Sequence, residues 1–134
     1  DAQKMAADIV HSVFDGDKPT VILGIENAGI PFSEEVAKAF QKQDETITHA
    51  VASLLKLAPG EHFPPASEVF FAQSYTKQEE RPFRIPQLPQ GARVLLIDDV
   101  SAHGHVSTAL AEKLQSLGIE VVGLGVYFNK DWQG

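Results

Sequence analysis

The segment from Arg93 to Leu114 constrains this chain more than any other. Val94, Leu95, Leu96 and Ile97 form a short, uninterrupted apolar run, which predicts a strand buried on both faces. Asp98 and Asp99 stand at its carboxyl end. A turn of small residues around Gly104 follows, and Val106, Leu110, Lys113, Leu114 and Leu117 then recur at helical spacing. Strand, acidic pair, glycine turn and helix together place two carboxylates and a ring of backbone N–H groups at one edge of a sheet. The N–H groups and the helix dipole suit a phosphate, and the carboxylates suit a polyol or a metal. The plainer alternative is a turn with an aspartate capping the next helix. It leaves two neighbouring carboxylates repelling one another with no ligand to share.

The remainder of the chain alternates strand and helix patterns. Met5, Ile9, Val10, Val13 and Phe14 predict a helix over 2–14, ended by Asp15-Gly-Asp-Lys-Pro19. Val21 to Ile25 reads as a buried strand, Asn27-Ala28-Gly29 as a turn, and Pro31 opens a helix to about Gln41. A second strand is predicted over Thr46 to Leu54, and Pro and Gly punctuate a loop from Leu57 to Pro65. Val69 to Tyr75 and Phe83 to Ile85 read as two arms of an antiparallel flap joined by Lys77 to Arg81, and Glu120 to Phe128 as a last strand. The expected fold is a three-layer α/β domain over 1–134, with a mostly parallel central sheet flanked by helices and a flap hairpin at about 66–86. Ligands of such sheets bind beyond the carboxyl ends of the strands, where Glu26, Asn27, Lys56, Asp98, Asp99 and Lys130 converge.

Composition narrows the function. At 134 residues the chain fits one domain with a core of its own. A formal charge of −7 argues against a sequence-independent grip on nucleic acid, yet backbone amides and a few placed cations still serve a phosphate. The absence of cysteine excludes disulfides, thiolate metal sites and a cysteine nucleophile, and fits a reducing cytoplasm. No apolar run reaches the ~18 residues of a membrane span. The chain opens without Met and stops after Trp132-Gln-Gly, which reads as part of something longer.

Arg93 to Val106 resembles the phosphoribosyl-diphosphate (PRPP) signature of type I phosphoribosyltransferases, a strand running into two acidic residues and a phosphate loop. That loop usually reads Thr-Thr-Gly-Gly-Thr. Here it is Ala102-His103-Gly104-His105-Val106, more similar to the Ala-Asn-Gly-Gln-Ala of the xanthine branch. Three further segments resemble xanthine enzymes in the right order: Ile25-Glu26-Asn27-Ala28-Gly29-Ile30, Ser74-Tyr75-Thr76-Lys77-Gln78, and the strand ending in Asn129-Lys130-Asp131-Trp132-Gln133. The joint order, over about residues 5 to 134, is far more specific than any single motif.

The resemblance implies transfer of phosphoribose from PRPP to a purine base, with Mg²⁺ as cofactor, in a homodimer. Asp98 and Asp99 would hold the ribose hydroxyls and favour positive charge at the anomeric carbon, with Asp98 a candidate for Mg²⁺ brought by PRPP. Ser101, Ala102, His103, Gly104, His105 and Val106, with Ser107 closing the loop, would cradle the 5-phosphate. Glu26, Asn27 and Ala28 would bind diphosphate, with Lys56 as its cation and Tyr75 and Lys77 on the closing flap. Val100, Lys130 and Trp132 would meet the base: Lys130 can only donate, so it points to an oxopurine (xanthine, guanine or hypoxanthine). Many relatives carry an acidic residue where Ala102 stands, so no general base is assigned. That Ala and the atypical loop also suit an alternative, a non-catalytic PRPP- or nucleotide-sensing domain on the same fold.

Overall fold

A computed structural model of the chain describes Lys4 and residues 18–25, 29–73, 80–99 and 105–127; the side chains of 29–31, 73, 99, 105, 126 and 127 lie outside that description. The helix predicted over 2–14 is outside the described residues. Six strands and two α-helices are described: β1 (Val21–Ile25), α1 (Gly29–Gln41), β2 (Thr48–Leu54), β3 (Val69–Gln73), β4 (Glu80–Arg84), β5 (Arg93–Asp99), α2 (His105–Ser116) and β6 (Glu120–Tyr127), with a short 3₁₀ turn at Ala66–Glu68.

They form one sheet in the order β3-β4-β2-β1-β5-β6. β2, β1, β5 and β6 are parallel neighbours. The β3–β4 hairpin joins the β2 side antiparallel. The sheet is thus mostly parallel, as expected, and every residue of β1 is buried.

Alternation along β1 and β5 assigns the two cores. Val21, Leu23, Ile25, Val94 and Leu96 pack with Val106, Leu110 and Leu114 of α2, and with Phe70 and Phe83 of the hairpin. Ile22, Leu95 and Ile97 pack on the other face with Phe32, Val36 and Phe40 of α1. One helix on each face gives the three layers. Each fully buried side chain of this size contributes roughly 1.5–3 kcal/mol, so the central strands anchor the fold. At the amino edge, Thr20 receives the Arg93 amide on its Oγ1 at 2.9 Å, and Arg93 Nε donates to Glu120 at 3.0 Å.

Several boundaries differ from expectation. α2 begins at His105, one residue before the predicted Val106, so the end of the expected phosphate segment, His105 to Ser107, forms its first turn. Leu117 lies beyond α2 and is 38% exposed, because Gly118 ends the helix there with φ +79°. The Gly118 and Ile119 amides close back on the carbonyls of Gln115 (3.1 Å) and Leu114 (2.9 Å), a Schellman arrangement. β4 starts at Glu80, earlier than the predicted arm at Phe83, with Pro82 inside it. Pro82 has no N–H to give, and its carbonyl accepts the Leu55 amide at 3.0 Å.

Candidate functional site

The carboxyl ends of β1, β5 and β6 converge at one edge. Gly24 pairs with Ile97, and Asp98 and Asp99 pair with Val126 and Tyr127. The three-residue connection from β1 to α1 therefore leaves the sheet level with the acidic pair. The connection from β5 to α2 leaves directly from it. These are the places where a doubly covered α/β sheet binds ligands.

Asp98 is 5% exposed and directly follows the buried apolar run Val94, Leu95, Leu96 and Ile97. A carboxylate is placed so deep in an apolar strand only where its charge is used or compensated. Asp99 is the last residue of β5. Val106 is buried in the core beneath α2, so any phosphate role belongs to its backbone amide. That amide is among the first of the helix, whose N–H groups have no partner within it. Ser107 beside it is buried too.

Lys56 is exposed, two residues beyond the end of β2. The preceding Leu55 is held by the hairpin through Pro82, so the segment carrying Lys56 is fixed at the same edge. The structure thus brings Asp98, Asp99, the α2 start and Lys56 to one end of the parallel strands. Glu26, Asn27, Ala28, Tyr75, Lys77, Val100, Ser101, Ala102, His103, Gly104, Lys130 and Trp132 lie outside the described residues, as does the side chain of His105.

Two polar residues were not singled out from the sequence. Ser33, fully buried in α1, shares a 2.8 Å hydrogen bond with Nε2 of His49 on β2. Burial lowers the pKa of His49 below its usual value, against the opposing charge of Glu34. His49 occupies the β2 face opposite to Ala50 and Ala52, toward α1, where a polar side chain needs a partner, a requirement that appears only once β2 is placed beside α1. An open cleft of about 480 Å³ also lies between β3, the loop before it and α2, lined by Phe63, Val69, Phe71, Ala109 and Lys113 among others. None of the candidate residues lines it. Among the described residues no group of three or more acidic or histidine side chains is arranged to hold a metal, and no helix is long and apolar enough to cross a membrane.

The sequence and the fold have counterparts among known proteins. A xanthine phosphoribosyltransferase from Bifidobacterium animalis subsp. lactis is 34% identical over 123 residues, covering 90% of this chain and 60% of the relative. One from Geobacillus thermodenitrificans is 29% identical over 124 residues, covering 90% and 59%. The chain thus spans about 60% of the length of these two relatives. Among solved structures, adenine phosphoribosyltransferase from Saccharomyces cerevisiae superposes with a TM-score of 0.66 at 21% identity, covering 96% of this chain and 69% of that one. A hypoxanthine phosphoribosyltransferase from Staphylococcus aureus gives 0.55 at 17% identity, covering 93% and 60%. These structures share the fold. With residues 1–132 matching the phosphoribosyl transferase domain, and with the acidic pair leading from β5 toward α2, the chain belongs to the phosphoribosyl transferase domain family.

Proposed function

We propose that this protein transfers a phosphoribosyl group from PRPP to an oxopurine of the xanthine, guanine or hypoxanthine type, giving a nucleoside 5′-monophosphate and diphosphate. The observation that carries this reading is the placement of Asp98-Asp99 at the end of a central strand, leading into the amino end of α2, in a chain of this family. The reaction breaks the bond between the anomeric carbon and the diphosphate oxygen and forms one to a purine nitrogen. Positive charge develops on the sugar as the leaving group departs, and carboxylates fixed nearby stabilise it. Being part of the fold, they need no reorganisation at that moment.

The other roles follow from the edge. The α2 amides and Ser101 to His105 receive the 5-phosphate. Glu26, Asn27, Ala28 and Lys56 receive the diphosphate, with Tyr75 and Lys77 of the flap. Val100, Lys130 and Trp132 receive the base, Lys130 donating to its oxo group and Trp132 offering a stacking face. The names of the xanthine relatives support the oxopurine. Asp98 is an oxygen donor of the kind Mg²⁺ prefers, and a single carboxylate suffices for an ion whose other ligands are substrate oxygens and water. Bound there, Mg²⁺ supplies neutralisation of diphosphate charge. The same reading makes the protein a homodimer, as the family resemblance implies, and a cytoplasmic one, in keeping with its lack of cysteine.

One feature favours a second reading, a PRPP- or nucleotide-sensing domain: the segment Ala102-His103-Gly104-His105-Val106 has a single glycine and no acidic residue. Incubation with PRPP, Mg²⁺ and each of xanthine, guanine, hypoxanthine and adenine, with diphosphate release and PRPP calorimetry as readouts, separates the two. Release with an oxopurine supports transfer, and PRPP binding without release supports sensing. No PRPP binding refutes both.

A further inference from the structure

We propose that Ser33 and His49 act as a positioning pair for the diphosphate side of the site, locking α1 to β2 so that the two segments flanking the leaving group keep a fixed separation. The inference rests on the function proposed above. α1 begins directly after the connection 26–28, and Ser33 is the fifth residue of that helix. β2 runs, two residues past its end, into Lys56. The Ser33–His49 hydrogen bond therefore joins the element that starts at one diphosphate-binding segment to the element that ends at the other.

The geometry fits a lock better than incidental packing. Ser33 is completely buried, and its 2.8 Å bond to the ring reaches across from helix to strand inside an otherwise apolar layer of Phe32, Val36, Phe40 and Ile22. Apolar side chains tolerate small slides of a helix over a sheet, whereas a directional hydrogen bond from a buried serine to a half-buried ring selects one position. Burial disfavours the charged form of the ring, with Glu34 opposing. Either tautomer bonds the hydroxyl: one ring nitrogen accepts from Ser33, or it donates to the Ser33 oxygen.

The test compares His49→Gln, His49→Leu and Ser33→Ala with the unaltered protein in steady-state assays against PRPP and against the purine. Gln offers an amide donor and acceptor near the Nε2 position, so it mimics either tautomer, while Leu and Ala remove the bond. The expected result is a rise of about fivefold in the KM for PRPP for Leu and Ala, equivalent to ~1 kcal/mol of lost binding, with kcat and the purine KM nearly unchanged and with Gln restoring most of the loss. Thermal melts identify any variant that fails to fold. A change in the His49 ring ¹⁵N resonances of the unaltered protein on adding PRPP provides a check that needs no variant. Equal effects on both substrates, or no rescue by Gln, reduce the pair to ordinary stability and overturn the proposal. So does a His49 signal that ignores PRPP. If the unaltered protein binds no PRPP at all, the proposed function fails first and takes this inference with it; if it turns over normally while the variants match it, only this inference fails.

Discussion

Phe70 and Phe83 face one another across the β3–β4 ladder, with ring centroids 5.2 Å apart and planes 17° from parallel. Both rings are buried in the layer shared with α2, so this cross-strand pair connects the flap hairpin to the helix that starts near the acidic pair. Truncating Phe83 to Ala removes one ring of the stack and leaves a cavity costing about 3–5 kcal/mol. A drop in Tm of more than ~8 °C is the expected outcome, read by calorimetry.

Asp98→Asn keeps the volume of the side chain and removes its charge. PRPP affinity is expected to fall by about tenfold or more, ~1.4 kcal/mol, measured by titration calorimetry with Mg²⁺ present. Asp99→Asn should behave likewise, because the proposed mechanism uses both carboxylates. Unchanged affinity in the double variant would remove the basis of the proposed function.

Stability should fall with acid through His49. Its pKa is lowered in the folded protein by burial, partly offset by Glu34, against 6.5 for the free side chain. Between the folded and unfolded values the unfolded chain binds the extra proton, so stability is complete above 6.5 and declines as pH falls through that interval. Asp44, hydrogen-bonded by the Thr46 hydroxyl (2.6 Å) and amide (3.0 Å), also has a lowered pKa and adds a separate loss starting below its free value of 3.8. Urea melts from pH 8 to 5 should show a slope that His49→Gln flattens.

Gly118 offers a control far from the site. Its φ of +79° suits glycine, and an added Cβ would meet nothing within 4 Å. Gly118→Ala should therefore cost only the backbone penalty, about 1 kcal/mol, with PRPP binding unaffected. A larger loss in a urea melt would mean that more than the turn depends on this residue.

The parallel core was legible because strands covered on both faces must be apolar at every position, and Val21 to Ile25 and Val94 to Ile97 are nearly so. The flap's second arm was read too short because Pro82 argues against a strand, and only the tertiary pairing shows that its missing N–H is tolerated there. The start of α2 was legible to within one residue, because Val106 opens the apolar helical spacing that continues through Leu110 and Leu114. The acidic pair stood out because charge at the end of an apolar run is locally anomalous. The Ser33–His49 bond did not, since neither residue is unusual until β2 is set beside α1.

The neighbour relation between β1 and β5 also fixes an order of events. Thr20 and Arg93, which meet where these strands begin, are 73 positions apart in the chain. On a ribosome the first strand is made long before the acidic pair that will stand beside its end. Bringing such distant partners together requires closing a long loop before their contacts reward it, and pairings of this kind slow folding in general. If Asp98 and Asp99 hold PRPP as proposed, it binds only a chain that has completed this closure. Its binding reports that the molecule is finished as much as that it is functional.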